Sequence, residues 1–328
     1  MKQRVSIALA TACAVAGMGL AGGGTALAQE NQQPAAEFLG EVAKAQSPLP
    51  QPKVAAPAPV NPEANESYVS FGDSVAANPT VLDIMVTRAQ RQGLDIQWPT
   101  IREGFCAQGI NNFPSQVARQ TGLRLEDYSC GGATAYMEEN PKSAIPHDTI
   151  NDQVSKAIGA GALDGRTKLV SVSIGVNDLW QPGNYENVGQ ERRNALYHEN
   201  VTRALNRIRE AAPEAKVIML GIPDQTDGAN HTCATNLLGM VSHWYFPVVS
   251  YYQDELRNAQ RAAAQGGGAR YLDMVSEINL ANDNNGCSTN PNRLSAAIFD
   301  DAPHNFTFHL TEAGHAYYAN RLVQEYNS

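Results

Sequence analysis

Apolar and polar positions alternate along the chain in two rhythms, and the shorter rhythm comes first. SYVSFG (67–72) is an apolar run closed by glycine. LRLEDYS (123–129) alternates with period two. KLVSVSIG (168–175) sets Val170, Val172 and Ile174 on one face and serines on the other. KVIMLGIP (216–223) is almost continuously apolar, the pattern of a strand covered on both faces. RYLDMV (270–275) is a shorter candidate. The longer rhythm lies between and after these runs. Residues 189–212 place Val201, Ala204, Leu205, Ile208 and Ala211 at helical spacing, and Pro213 follows. Residues 247–264 read as a second helix. Residues 312–326 read as a third, capped by Thr311 and burying a face near Ala316, Ala319, Val323 and Tyr326. Strands alternating with helices predict an α/β fold, a mostly parallel sheet with helices on both sides.

That fold locates a site before any chemistry is considered, because ligands bind beyond the C-terminal edge of such a sheet. Three turns follow three strands there. Gly72-Asp73-Ser74 follows the first, Cys130-Gly131-Gly132-Ala133 the second, and Gly175-Val176-Asn177-Asp178 the third. All are small or polar, and they are expected to lie along one edge.

The N-terminal region belongs to neither rhythm. Residues 1–28 have a basic start (MKQR), an uncharged apolar stretch and Ala26-Leu27-Ala28 before Gln29, the layout of an export signal peptide. Residues 29–66 are rich in Pro, Ala and Gln, with Phe38 their one aromatic before Glu66; such a segment buries too little to offset its ordering entropy and reads as a linker. Residues 67–328 suit one large domain. After the first 28 residues, no stretch approaches the roughly 18 apolar residues a spanning helix needs, so an exported protein without stable membrane insertion is expected.

Charge and cysteines narrow the partners. The net charge is −9, and loss of Lys2 and Arg4 with the signal takes it to −11. That argues against nucleic acid or an anionic membrane as partner. Cys13 leaves with the signal, while Cys106, Cys130, Cys233 and Cys287 remain, an even number for an oxidising compartment. Three pairings are open; the sequential one closes loops worth about 3–4 kcal/mol each. A zinc site is the rival, although no C-x-x-C occurs.

Ser74 supplies a hydroxyl in the first turn. It is a weak nucleophile that needs a base. FDDAPHNFTFHLTEAGH (299–315) offers His304, His309 and His315. His309 sits in the loop before the last helix, whereas His315 lies inside that helix, where a structural role is expected. Spacings of five and six suit a metal cluster poorly. The backbone N–H of Ser74, the N–H of Gly132 and the side-chain amide of Asn177 could converge on a developing oxyanion.

Four blocks, YVSFGDS (68–74), SCGGATA (129–135), VSIGVNDL (172–179) and FHLTEAGH (308–315), together resemble the SGNH (GDSL) hydrolase superfamily, in its secreted actinobacterial-type lipase/esterase branch. The resemblance covers about residues 66–326. It implies a flavodoxin-like three-layer α/β/α sandwich, with Ser74 as nucleophile, His309 as general base, and Gly132 and Asn177 as oxyanion donors beside the Ser74 amide. It also implies the disulfides Cys106–Cys130 and Cys233–Cys287, and a secreted ester hydrolase that needs no metal or other cofactor. Its substrate would be a lipid ester or an acylated glycan. Acyl transfer or deacetylation of envelope glycans, and a non-catalytic envelope-binding role, are the alternatives.

Departures from the family pattern matter too. The position three before the histidine, often Asp in the family, is Phe306. The Phe306 carbonyl is therefore the first candidate to orient His309, and Asp301 the second. Leu310 replaces the usual proline. Residues 75–105, with Trp98 and Phe105, look longer than the matching family loop and could wall the acyl pocket.

Overall fold

Tyr68, Val69 and Phe71 are fully buried, and the strand they form lies inside the main sheet with a neighbour on each side. The computed structural model describes residues 60–91, 93–94, 96, 106–137, 148–179, 189–280 and 284–328. The proposed signal (1–28), most of the linker, and Trp98 and Phe105 lie outside the described residues.

β1 (Ser67–Gly72) leads into α1 (Ser74–Ala77), α2 (Val81–Arg91) and α3 (Phe113–Thr121). Then come β2 (Arg124–Asp127), α4 (Ile150–Gly159), β3 (Thr167–Ser173) and a 3-10 turn (Val176–Leu179). α5 (Gln190–Ala211), β4 (Lys216–Leu220), β5 (His231–Leu237) and β6 (Met240–Tyr245) follow. The chain continues through α6 (Pro247–Gly266), β7 (Arg270–Leu272), α7 (Met274–Leu280), β8 (Phe299–Asp300) and α8 (Glu312–Asn327).

The main sheet has the order β2-β1-β3-β4-β7, and every neighbouring pair is parallel. Its five strands fall on the five apolar runs. Four end early: β2 stops at Asp127, β3 at Ser173 and β4 at Leu220, and the 270–275 run breaks after Leu272, so that Met274 and Val275 begin α7. On one face Val69, Phe71, Val172 and Met219 pack with Val154 of α4, Val201 of α5 and Leu256 of α6. On the other, Tyr68, Leu169 and Ile218 pack with Phe113 of α3 and Tyr318 of α8. These are the three layers expected. The serine face of β3 is also buried, and the Ser171 hydroxyl is satisfied internally. The Tyr68 hydroxyl lies 2.6 Å from Ser171 Oγ, which in turn donates to Ser70 Oγ.

Strand order reverses at β1 and β3, since the chain leaves β1 toward β2 on one side and leaves β3 toward β4 on the other. The crevice between their C-terminal ends is the topological switch point. Ser74 and Asn177 sit just past those two ends.

A second sheet, in the order β6-β5-β8, was not foreseen from the sequence. β5 pairs antiparallel with β6 and parallel with the two-residue β8. The bridges Cys106–Cys130 and Cys233–Cys287 are both formed, in the sequential pairing. The second ties β5 to the segment before β8.

Candidate active site

The strand-to-turn junction at Gly72 is built by close backbone approach. A Cβ on Gly72 would stand 2.3 Å from the Ser173 carbonyl oxygen, so a larger residue would push β1 and β3 apart. The peptide groups at Gly72 are also gripped from α4. Buried Gln153 accepts from the Gly72 N–H at 2.9 Å and donates its amide to the Gly72 carbonyl at 2.8 Å. That carbonyl takes a further bond from the Cys130 N–H at 3.0 Å, which brings the Gly131-Gly132 turn alongside. Sequence reasoning missed Gln153; a glutamine on a helix carries no signal of such a role.

Asp73 caps α1, accepting from the Val75 N–H at 2.9 Å and from the N–H groups of Gly175 and Val176. Burial pushes its carboxyl up to about 7, against the pull of those backbone donors. Asp178 does the same work one turn away. It accepts from the Ala135 N–H at 3.0 and 2.9 Å, and burial, aided by the charge of Asp73, raises it to about 8. The Asn177 amide donates to the Ala133 carbonyl at 3.0 Å, which occupies one of its two N–H groups. Two buried carboxyls and one amide thus lace the three turns together. Gly132 holds φ +84° within the laced turn.

His309 arrives from the opposite end of the chain. Its carbonyl accepts from Ala296 N–H at 2.8 Å, and Leu310 bridges to Ser295. Thr311 then caps α8 through Gly314 N–H. Gly314 is required there, since a Cβ would lie 2.0 Å from the Leu294 carbonyl oxygen. So the FHLTEAGH block fastens the histidine loop to the 294–296 segment.

These elements place His309 Nε2 2.7 Å from Ser74 Oγ, across a separation of 235 residues. His309 Nδ1 lies 2.8 Å from the Thr307 carbonyl. A carbonyl can only accept, so Nδ1 carries the proton and Nε2 presents its lone pair to the serine hydroxyl. Neither expected orienting group is used: the carbonyl belongs to Thr307, one residue beyond Phe306. Asp301 instead binds the Leu238 N–H and the Arg293 guanidinium. Phe308 takes φ +57°, and this left-handed residue turns the chain between Thr307 and His309 so that the carbonyl meets the ring. The Phe306 ring packs edge-on against His309, with centroids 4.6 Å apart.

Burial drives the His309 pKa down to about 4; the Thr307 carbonyl opposes that shift and the charge of His304 adds to it. A carboxylate partner would have stabilised the imidazolium, but here the Nδ1 partner is a neutral carbonyl. Buried His315 stacks on Phe113 instead and makes no hydrogen bond through either ring nitrogen, consistent with a packing role. His304 bonds the Ala302 carbonyl. Two ligand-like clusters among the described residues, Cys233/His243/Cys287 and Cys106/Cys130/Asp148, are each built on a disulfide whose sulfurs are already committed.

The protein named Lipase 2 from Streptomyces coelicolor is 26% identical over 243 residues, covering 67% of this chain and 72% of that protein. An esterase from Streptomyces scabiei is 24% identical over 260 residues, covering 63% and 69%. Among solved structures, phospholipase A1 from Streptomyces albidoflavus aligns over 81% of this chain and all of its own, at 18% identity and a TM-score of 0.49. The model of the GDSL-like Lipase/Acylhydrolase family matches residues 70–317, a span that holds all three laced turns and the histidine loop. The chain therefore belongs to the GDSL-like lipase/acylhydrolase family and is a carboxylic ester hydrolase.

Proposed function

We propose that Ser74 and His309 carry out the ester cleavage through an acyl-enzyme. His309 Nε2 takes the hydroxyl proton as Ser74 Oγ attacks the ester carbonyl carbon, and Nδ1–H holds the ring to Thr307. The imidazolium then protonates the departing alcohol. Water, deprotonated by the same nitrogen, releases the acid and restores the serine. The amide of Asn177 and the N–H groups of Gly132 and Ser74 are assigned to the oxyanion, because the turns that carry them are bonded to one another. The reading rests on the 2.7 Å contact between Ser74 Oγ and His309 Nε2.

A lipid or acylated-glycan ester is the proposed substrate class, met outside the cell after export directed by residues 1–28, with 29–66 as a linker to the hydrolase domain. Turnover of a p-nitrophenyl ester by Ser74→Ala tests the core of this reading. Activity should vanish while folding is unchanged; a wild-type rate would remove Ser74 from the mechanism.

A further inference from the structure

The β5–β6 hairpin stands apart from the rest of the surface in two ways. From Gly228 to Gln253 the sequence has no Asp, Glu, Lys or Arg, although the chain as a whole has net charge −9. The hairpin also exposes large apolar groups: Leu238 is 87% exposed, Met240 66%, Trp244 57% and Tyr245 68%. Phe246 follows and is exposed as well.

Its tip is built against local preference. Leu238 and Gly239 both have positive φ, +52° and +78°, in a two-residue turn where asparagine would ordinarily precede the glycine. Leucine has poor local reasons to be there, and in water its side chain touches little. The tip is nevertheless held firmly. Asp301 accepts from the Leu238 N–H at 2.6 Å and is itself paired with Arg293. The Cys233–Cys287 bridge secures the base.

The hairpin is continuous with the histidine loop. β8 pairs with β5, and Thr232 donates to the Gln225 carbonyl. The Gln225 amide in turn donates to the Phe308 carbonyl, one residue before His309.

We propose that this hairpin is a docking wedge for an uncharged lipid–water interface. A hairpin whose own residues include no Asp, Glu, Lys or Arg, with Asp301 at its tip paired to Arg293, matches a surface without net charge, and tryptophan and tyrosine suit the boundary between apolar and wet regions. β6 is an edge strand, so a second copy pairing along it is the competing occupant. Trp244 and Tyr245 are consecutive in the strand and so point to opposite faces, yet both are more than half exposed. An element with an exposed aromatic on each face and an apolar tip fits a fluid phase that can surround it; half-exposed His243, 3.5 Å from Asp227, interrupts the Tyr245 face. A rigid partner docked on one side would leave the other side in water. The wedge is independent of the roles assigned to Ser74 and His309.

Flotation of the full chain with vesicles of phosphatidylcholine alone tests the proposal. The wild-type chain floats with the vesicles at low and at molar salt, and its tryptophan emission shifts to the blue. The pair Leu238→Asn and Met240→Gln, which suits the turn better, reduces partitioning by roughly tenfold or more and leaves turnover of soluble p-nitrophenyl acetate unchanged. Trp244→Phe keeps flotation and loses the blue shift. The proposal is overturned if the wild-type chain stays with the buffer, or if it floats only with phosphatidylglycerol vesicles. It is equally overturned if the paired variant floats like wild type. A sedimenting dimer that the paired variant dissociates would assign the face to a second copy.

Discussion

Protonation of His309 gives the most discriminating prediction, because burial and the missing carboxylate act in the same direction. An ordinary histidine near pH 6.5 would be only about 9% neutral at pH 5.5. With the pKa driven down to about 4, His309 stays about 97% neutral at the same pH. The acid limb of kcat/KM reports the base of the free enzyme, so activity on a soluble aryl ester should be nearly flat from pH 7 to 5.5. It should then fall with a midpoint near 4, with circular dichroism confirming that the chain is still folded. Phe306 supplies the perturbation. Its ring covers His309 edge-on, so Phe306→Ala admits water and moves the limb upward toward the ordinary histidine value. A wild-type limb already centred near 6.5 would refute the argument from burial. A limb that did not move in Phe306→Ala would refute the part assigned to that ring.

Other outcomes follow from single contacts. Asn177→Ala should lower kcat by roughly 10²–10³ with a smaller change in KM, read from steady-state kinetics on the same ester. Gln153→Met, which drops both bonds to the Gly72 peptide groups, should lower kcat and slow, without abolishing, labelling of the chain by a fluorophosphonate. Replacing Cys233 and Cys287 with serine should cost about 4 kcal/mol in urea unfolding, from the 54-residue separation they close. His315 is depressed to about 3, below its unfolded value, so its stabilising contribution is present above pH 6.5 and is lost as pH falls toward 3. His315→Met should therefore narrow the stability gap between pH 7 and pH 4 by about 3 kcal/mol; an unchanged gap would contradict the burial of an uncharged ring.

Three of the parallel strands, β1, β3 and β4, were legible as largely apolar, almost wholly buried runs, and β2 by its period-two alternation. The second sheet was not. HTCATNL of β5 is polar in composition and its pairing with β6 is irregular between Cys233 and Asn236, while β8 is two residues long and meets β5 across more than sixty positions. α4 was missed for another reason: its buried stripe, Ile150, Val154 and Ala157, is too short to separate from a loop by periodicity. Among the residues proposed for the site, Ser74, Gly132, Asn177 and His309 were nameable because side-chain chemistry and turn glycines leave a mark in the sequence. The group orienting His309 left none, since a backbone carbonyl can come from any residue type. Which one it is depends on the left-handed turn at Phe308, a conformation the sequence does not advertise.

The central claim is that one hydroxyl and one neutral imidazole, held 2.7 Å apart, perform the acyl chemistry. Labelling with a fluorophosphonate, followed by mass mapping of the modified peptide, tests it directly. The account predicts a single adduct on Ser74, formed at least roughly a thousandfold more slowly in His309→Ala. An adduct on another residue, or labelling of Ser74 at an undiminished rate without His309, would contradict it.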